Sequence, residues 1–150
     1  MASDPKALIL EHATLAAPRF LPEMKLYLAT EDLPIWRMGE EELAEIGITT
    51  PFWAFAWAGG QALSRYLLEN PEIVAGKRVL DFGAGSGMVA IAAVMAGAGH
   101  VLAADIDPLA KAAMELNAAE NGVSLHITTD DLVGQQGEWD ILLVGDVCYD

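Results

Sequence analysis

The chain contains 150 residues, of which 53% are hydrophobic and 20% are charged, and an excess of acidic side chains gives it a net charge of −14. This length and composition indicate one folded domain with a hydrophobic core and exclude a disordered or low-complexity chain. Nucleic acid is disfavoured as a partner because clusters of Lys and Arg are absent, whereas a cationic substrate is electrostatically easier to bind.

No targeting or membrane-spanning pattern is recognisable in the sequence. Every stretch of about 18 residues contains a charged residue or a glycine, which is not typical of a membrane-spanning helix. The N-terminus lacks the basic segment followed by a hydrophobic segment that a signal peptide has. The single cysteine, Cys148, excludes an internal disulfide and a multi-cysteine metal site. We therefore expect a soluble protein without a metal site. Because an Arg-rich transit segment is missing, a bacterial cytoplasm is expected rather than a mitochondrial matrix.

The first fifty residues carry short secondary-structure signals. Asp4 before a proline predicts the start of a helix that continues through Leu15. Residues 22–28 alternate between apolar and polar side chains, which predicts a short strand. The acidic run at 40–42 predicts a brief helix with a solvated face. We interpret this region, residues 1–50, as a cap of helix and strand on the remainder of the chain.

Residues 51–60 are dense in aromatic side chains and end in a pair of glycines. Such a segment suggests an apolar wall around a ligand. Trp57 is the strongest candidate because it stands directly before the glycines. Trp53 and Phe55 are equally compatible with an ordinary hydrophobic core.

Residues 79–87, with the sequence VLDFGAGSG, form an apolar run that breaks into glycines. A buried parallel strand has such a continuous hydrophobic pattern, and glycines after it let backbone N–H groups approach a ligand closely. Gly83, Gly85 and Gly87 form G-x-G-x-G. The dinucleotide-binding fingerprint G-x-G-x-x-G would need its third glycine at Met88, so a nicotinamide or flavin nucleotide is disfavoured.

Acidic residues near the strand ends indicate the ligand of this loop. Asp81 precedes the glycines, where negative charge favours an ammonium or a sulfonium over a diphosphate. We infer S-adenosylmethionine, an adenosyl compound that carries an amino acid. Asp105, about 20 residues after the glycines, is predicted to accept hydrogen bonds from both ribose hydroxyls. Asp130 is predicted either to contact adenine or to be a solvated loop acid, and Asp107 either to serve the ligand or to cap a helix.

The pattern from residue 51 onward predicts an α/β domain, residues 51–150. Strands are predicted at 79–82, 101–104, 125–128 and 139–144, and helices at 61–69, 88–96 and 108–121. The first of these helices is expected to bury Leu63, Tyr66 and Leu67. Right-handed crossovers give the spatial strand order 3-2-1-4, a Rossmann-like doubly wound sheet that binds its ligand at the switch point between strands one and four. Asp146, after the fourth strand, would flank the reactive methyl group.

Several segments together resemble a known family. VLDFGAGSG, the acidic pair in AADIDP and the D-x-x-Y sequence from Asp146 to Tyr149 are similar to the seven-β-strand, class I methyltransferases, in particular to the protein-lysine branch that carries D-x-x-Y. Within that branch, PFWAFAWAGGQALSRYLL and GDVCYD most resemble the lysine methyltransferases of the electron transfer flavoprotein β-subunit. The resemblance covers roughly residues 20–150.

The resemblance implies a role for individual residues. The implied cofactor-binding residues are Trp57, Asp81, Gly83, Gly85, Gly87, Asp105, Ile106 and Asp130, and the implied catalytic residues on the substrate side are Asp146 and Tyr149. Asp146 would capture and orient a lysine of the substrate and would not act as the general base, because an ionised carboxylate raises the pKa of a nearby ammonium.

The implied reaction is transfer of methyl groups from S-adenosylmethionine to lysine side chains of a partner protein, the electron transfer flavoprotein β-subunit. Two alternatives stay open: a small amine acceptor, as in the similar nicotinamide methyltransferases, and a non-catalytic module that binds the cofactor or a partner. The family's sheet has seven strands, whereas four are predicted here. The resemblance therefore implies that the domain continues beyond Asp150.

Overall fold

The computed structural model describes residues 4–147. The helices are α1 (Pro5–His12), α2 (Glu40–Glu45), α3 (Ala58–Glu69), α4 (Met88–Met95) and α5 (Pro108–Glu120). The strands are β1 (Thr14–Ala16), β2 (Leu26–Leu28), β3 (Arg78–Phe82), β4 (His100–Ala104), β5 (His126–Thr128) and β6 (Ile141–Val144). Short 3-10 helices occur at Pro34–Trp36, Phe52–Ala54 and Pro71–Ile73. Within the described range, the helices are too short or too polar to cross a membrane.

A four-stranded parallel sheet in the order β5-β4-β3-β6 forms the centre of the molecule. β3 lies between β4 and β6, with Leu80 opposite both Leu102 and Leu142. Parallel neighbours need crossover connections, and right-handed crossovers through α4 and α5 place both helices on the same face of the sheet. This arrangement confirms the predicted α/β fold and the strand order 3-2-1-4.

The two faces of the sheet differ in how they are covered. Asp81 of β3 accepts a hydrogen bond from the Ala90 amide of α4, so its face is the helix-covered one. Leu143 of β6 pairs with Asp81 across the two strands, so it lies on the same face of the sheet, and it is buried. Its neighbours Leu142 and Val144 alternate to the opposite face, where Leu142 is 54% exposed. The helix layer of the described residues therefore covers one side of β6 only.

The N-terminal region forms a helix followed by an antiparallel hairpin of β1 and β2. Asp4 caps α1, as predicted, by accepting a hydrogen bond of 3.1 Å from the Lys6 amide. The prediction that this helix continues through Leu15 is wrong. The backbone is already extended at Ala13, and Leu15 lies in β1 opposite Tyr27 of β2.

The strand predicted at 22–28 is shorter in the structure, because turns occupy the residues before β2. The Leu21 amide donates to the Pro18 carbonyl, and the Met24 amide donates to the Leu21 carbonyl. Leu21 and Met24 are fully buried, so apolar packing fixes these turns. Alternation along the sequence does not distinguish that packing from a strand. The brief helix predicted at the acidic run is confirmed as α2.

α3 begins earlier than predicted, because its first turn includes Gly59 and Gly60, which the sequence prediction places before the helix. Its buried face carries Ser64 and Leu67, whereas Leu63 is half-buried and Tyr66 is 55% exposed. The predicted burial of Tyr66 is therefore wrong. α4 packs along one side of α3, and Tyr66 is rotated away from that side. The all-apolar pattern of α4 is explained, as predicted, by packing between α3 and the sheet.

Candidate functional site

A cavity of about 900 Å³ opens at the carboxyl ends of the parallel strands, at the predicted switch point between β3 and β6. The aromatic segment before α3, the glycine loop between β3 and α4, and the residues after β4, β5 and β6 enclose it. The predicted site residues that line it are Trp57, Asp81, Gly83, Gly85, Asp105, Ile106, Asp130 and Asp146. A cavity of this size can enclose most of a small organic ligand.

The glycine loop has backbone angles that favour glycine. φ is +68° at Gly83, +54° at Gly85 and +82° at Gly87, in the left-handed region that other residues rarely adopt. The Gly83 amide donates to the Ala104 carbonyl at 2.9 Å, which ties the loop to the end of β4. Gly87 lies against α5 at the start of α4, where a Cβ would be 2.9 Å from Met114 Cγ. At Gly83 and Gly85, the loop lines the cavity with backbone alone.

Asp105 lies beside this loop at the end of β4. Its Oδ2 accepts a hydrogen bond of 2.8 Å from the Gly85 amide, and its Oδ1 accepts one of 3.0 Å from the Asp107 amide. A carboxylate oxygen can accept more than one hydrogen bond, so both oxygens retain capacity for hydroxyl donors in the cavity. The structure thus brings together the predicted ribose-binding acid and the predicted cofactor loop.

Asp107 caps α5, the second of the two roles that the sequence allowed. Its Oδ1 accepts a hydrogen bond of 2.8 Å from the Leu109 amide. Burial raises the pKa of the Asp107 carboxyl, the Leu109 amide lowers it, and the charge of Asp105 raises it. Asp107 also borders the cavity. The hydrogen bond from the Leu109 amide is enough to explain the position of the Asp107 side chain, and no ligand is needed for it.

Ile106 and Asp130 contribute further to the cavity lining. Ile106 is 71% exposed, which is unusual for an isoleucine and leaves apolar surface available to a planar ring. Asp130 follows β5, and its amide donates to Thr128 Oγ1 at 3.1 Å. The Asp130 side chain is exposed. Both residues are positioned to contact a ligand in the cavity.

Asp81 links β3 to α4 below the glycine loop. It is 2% exposed, and its Oδ2 accepts a hydrogen bond of 3.0 Å from the Ala90 amide. Burial raises the pKa of Asp81 to about 7, although the Ala90 amide lowers it, and the nearby charge of Asp105 raises it further. The carboxyl borders the cavity while it joins the strand to the helix. A cation in the cavity would favour its ionised form.

The aromatic segment forms one wall of the cavity. The ring centroids of Phe52 and Trp57 are 6.3 Å apart, and those of Phe55 and Trp57 are 5.5 Å apart. The Trp57 indole donates to the Phe52 carbonyl at 3.0 Å. Trp36 extends the cluster, with its ring centroid 5.3 Å from that of Phe55. These tilted contacts and the indole hydrogen bond hold the Trp57 ring in place.

Trp53 belongs to the hydrophobic core, one of the two interpretations that the sequence left open. Its side chain is fully buried. It also borders the cavity, and its Nε1 has no hydrogen-bond partner among the described residues. An unpaired buried N–H is costly. A ligand acceptor or an ordered water in the cavity would satisfy it.

Asp146 connects the end of β6 to the start of α3. Its Oδ1 accepts a hydrogen bond of 3.0 Å from the Gly59 amide, and its Oδ2 accepts one from the Gly60 amide. Amides in the first turn of a helix lack intrahelical partners, and the helix dipole favours a carboxylate there. A Cβ at Gly59 would lie 2.5 Å from Oδ1, so glycine makes this contact possible. Tyr149, the other predicted catalytic residue, lies outside the described residues, as does Cys148.

Some residues of the cavity lining were missed from the sequence. They are Thr49, Thr50, Leu132 and Val133, among others. Leu132 and Val133 form an apolar pair within an otherwise polar loop, which was a usable signal. The two threonines stand before Pro51 without any pattern that distinguishes them from other loop residues. Their position depends on how the aromatic segment folds back over the strands.

The residues present fit an adenosyl ligand with an amino-acid end. The cavity combines side-chain-free backbone at the glycine loop, a carboxylate with acceptor capacity at Asp105, and a buried indole N–H at Trp53 that needs an acceptor. In residues 4–147, His, Cys, Asp and Glu side chains do not gather in any group of three that could hold a metal ion. The features that are present suit an organic ligand.

Residues 61–145 match the family model described as ribosomal protein L11 methyltransferase (PrmA). The match extends from the first turn of α3 to the end of β6 and covers more than half of the chain. The chain belongs to the PrmA family. Membership confirms the resemblance to the class I methyltransferases that the glycine loop and the acid after β4 indicated.

This PrmA-family chain is also similar to proteins named for lysine methylation. It is 45% identical over 151 residues to the electron transfer flavoprotein beta subunit lysine methyltransferase of Xenopus laevis, an alignment that covers 99% of this chain and 60% of that relative. The chain thus spans less than two thirds of the relative's length. The D-x-x-Y resemblance drawn from the sequence pointed to the same proteins.

Solved structures share the fold. The ribosomal protein L11 methylase from Lactobacillus delbrueckii subsp. bulgaricus superposes with a TM-score of 0.53 at 34% identity, over 60% of this chain and 47% of that one. The magnesium protoporphyrin IX methyltransferase from Synechocystis PCC 6803 superposes with a TM-score of 0.50 at 25% identity, over 59% of this chain and 43% of that one. The latter structure was solved with bound S-adenosylmethionine.

Proposed function

We propose that this chain forms the cofactor-binding part of an S-adenosylmethionine-dependent protein-lysine N-methyltransferase whose substrate is the electron transfer flavoprotein β-subunit. The observation that carries the proposal is the contact of 2.8 Å between Asp105 Oδ2 and the Gly85 amide, at the carboxyl ends of the parallel strands. A sugar-binding acid beside side-chain-free backbone suits an adenosyl ligand. The names of the similar proteins from Xenopus laevis and other vertebrates support the choice of substrate.

In this proposal the chain's residues hold the two reactants in line. S-adenosylmethionine, when bound, supplies an electrophilic methyl group. Asp105 binds the ribose hydroxyls, the glycine loop and Asp81 lie at the amino-acid end, and Trp57 bounds the cavity on the side towards Asp146. Alignment of this kind contributes much of the rate of a transfer between two bound groups.

The lysine acceptor must lose a proton before it can attack. With a reference pKa of about 10.4, neutralising a lysine amine at pH 7 costs about 4.6 kcal/mol. An ionised Asp146 beside it would raise the lysine pKa, so Asp146 is proposed to attract and orient the side chain and not to deprotonate it. Both Asp146 oxygens already accept backbone amides, yet each retains a lone pair for a further donor.

The experiment that tests the proposal is a transfer assay with the full-length protein and methyl-labelled S-adenosylmethionine. Separate reactions contain the purified electron transfer flavoprotein β-subunit, ribosomal protein L11, and the small-solute fraction of a cell extract that includes nicotinamide. We expect label on lysines of the flavoprotein subunit, located by mass spectrometry. Label on L11 alone or on small solutes alone would assign another acceptor, and no transfer to any fraction would favour a binding module.

Asp146→Asn serves as the site variant in this assay, and Asp140→Asn is its matched control. Asp140 carries the same charge at the opposite end of β6, where its Oδ2 accepts a hydrogen bond of 2.9 Å from the Arg78 amide. Loss of one interaction with a charged group predicts a decrease of at least about tenfold in transfer for Asp146→Asn. Equal activity of the two variants would refute the proposed role of Asp146.

A further inference from the structure

Asn117 is a buried polar residue in the last turn of α5. Its side chain is fully buried in a helix segment whose other buried residues are apolar, among them Ala113, Met114 and Ala118. A buried amide is tolerated only when its donors and acceptors are satisfied. The contacts of Asn117 therefore indicate why an asparagine stands there.

One of these contacts reaches the glycine loop. Asn117 Nδ2 donates a hydrogen bond of 2.8 Å to the carbonyl of Ser86, the residue between Gly85 and Gly87. The N–H of the same peptide, on Gly87, donates to the Ala84 carbonyl at 2.8 Å, so Asn117 and a turn hold this peptide from its two sides. α5 thus supports the loop from the side away from the cavity, through Asn117 and through Met114 against Gly87.

The other contact reaches the N-terminal hairpin. Asn117 Oδ1 accepts a hydrogen bond of 2.8 Å from the Tyr27 amide in β2. One turn further along α5, Asn121 holds the same hairpin, since its Oδ1 accepts from the Lys25 amide at 3.0 Å and its Nδ2 donates to the Lys25 carbonyl at 2.6 Å. The Tyr27 hydroxyl also donates to Glu120 at 3.0 Å. Asn121 and Glu120 bind the hairpin without a hydrogen bond to the glycine loop.

We propose that Asn117 is a positioning residue for the cofactor loop and that, by sharing its amide between Ser86 and Tyr27, it makes the N-terminal hairpin a part of the cofactor site. The inference rests on the proposed function for the identity of the ligand. The hairpin then does more than pack against α5. When it is docked, the Asn117 oxygen is occupied by Tyr27, which orients the nitrogen towards Ser86.

The pair Asn117→Asp and Asn121→Asp separates this role from general stability. In each variant the side chain retains an oxygen that can accept the hairpin amide and loses the nitrogen that donates. At 117 the lost partner is the loop carbonyl of Ser86, whereas at 121 the lost partners are the Lys25 carbonyl and the backbone carbonyl of Asn117. Asn121→Asp therefore weakens a contact with the hairpin, whereas Asn117→Asp keeps its hairpin contact and removes support from the glycine loop.

The test is a calorimetric titration of S-adenosylmethionine into the full-length protein and both variants, well below their melting temperatures. Loss of a buried hydrogen bond predicts an affinity at least about tenfold weaker for Asn117→Asp and within about threefold of the parent for Asn121→Asp. Equal affinities for the two variants would overturn the proposal. If Asn117→Asp does not fold, Asn117→Ala and Asn121→Ala replace the pair, because each removes both the donor and the acceptor of its side chain without introducing a charge.

Amide hydrogen exchange without cofactor keeps this inference separate from the proposed function. We expect faster exchange at residues 83–88 in the Asn117 variant and unchanged exchange there in Asn121→Asp. Unchanged exchange of the loop in both variants would overturn the positioning role, whatever the ligand is. If the parent protein binds no S-adenosylmethionine but its loop responds to Asn117, the proposed cofactor fails while the positioning role stands.

Discussion

Asp146 and Gly59 meet at the first turn of α3, where Asp146 Oδ1 accepts a hydrogen bond of 3.0 Å from the Gly59 amide. A Cβ at Gly59 would lie 2.5 Å from that oxygen, closer than two such atoms approach. The position of Asp146, two residues after β6, therefore depends on the glycine at position 59. Neither the end of β6 nor the start of α3 explains that position alone.

Gly59→Ala should displace the Asp146 carboxylate from the helix terminus. The expected cost is about 1 kcal/mol of stability from the lost cap, together with reduced methyl transfer. Thermal unfolding and the transfer assay measure the two effects. Gly39→Ala is the control, because Gly39 also lies at the N-terminal end of a helix, as the N-cap of α2, and its added Cβ would come no closer than 3.8 Å, to Glu42 Oε2. Equal losses in the two variants would contradict the steric argument.

Asp105→Asn should weaken binding of S-adenosylmethionine. A charge-assisted hydrogen bond contributes about 1.5–3 kcal/mol, so removing the charge predicts a decrease in affinity of roughly 10- to 100-fold, measured by calorimetry. Asp140→Asn removes a carboxylate at the opposite end of the sheet and should leave the affinity within about twofold. An unchanged affinity in Asp105→Asn would exclude Asp105 as the sugar-binding acid.

Asp81 should make the stability of the cofactor-free protein depend on pH. Burial raises its folded-state pKa from 3.8 to about 7, so the folded state binds a proton more tightly than the unfolded state does. The free energy of unfolding should therefore decrease as pH rises from about 4 to about 7, by an amount on the order of a few kcal/mol. Asp81→Asn removes this contribution and retains an oxygen for the Ala90 amide.

Denaturant unfolding at several pH values measures this difference. The variant should be more stable than the parent above pH 7, and the two should converge near pH 4. Parallel stability profiles for parent and variant would show that Asp81 does not carry the predicted proton.

Gly87→Ala should destabilise the protein by more than Gly122→Ala does. Both glycines have positive φ, +82° and +64°, so alanine costs about 1 kcal/mol of backbone strain at either position. At Gly87 the new Cβ would also lie 2.9 Å from Met114 Cγ, whereas at Gly122 it meets nothing within 4 Å. Equilibrium unfolding of both variants gives the difference directly. Identical losses would mean that Met114 moves aside without cost.

The sequence predicted the parallel sheet and the glycine loop because both have strong local signals. The apolar run before Gly83 and the acid at the end of β4 follow from the requirements of a buried strand and a ligand loop. The order of four strands followed from the handedness of crossovers. Those features lie around the cavity at the carboxyl ends of the strands.

Other features depend on contacts between distant segments and had no local signal. Leu15 lies in β1 and not in α1 because it pairs with Tyr27. Tyr66 is exposed because α4 packs along another side of α3. The capping of α3 by Asp146, and the sharing of Asn117 between hairpin and loop, join residues that lie more than 30 positions apart. A pattern within one helix or strand does not contain this information.

The aspartates around the cavity have a kinetic consequence. Those that line it are Asp81, Asp105, Asp107, Asp130, Asp131 and Asp146, and among the described residues no lysine or arginine shares the lining. A concave surface of one charge sign concentrates field lines at its mouth, so a cationic ligand is steered inward and its on-rate falls as ionic strength rises. Polyphosphates of similar shape, such as free nucleotides, are repelled by the same charges. The entrance of the cavity would therefore select cationic ligands over anionic ones before any close contact forms.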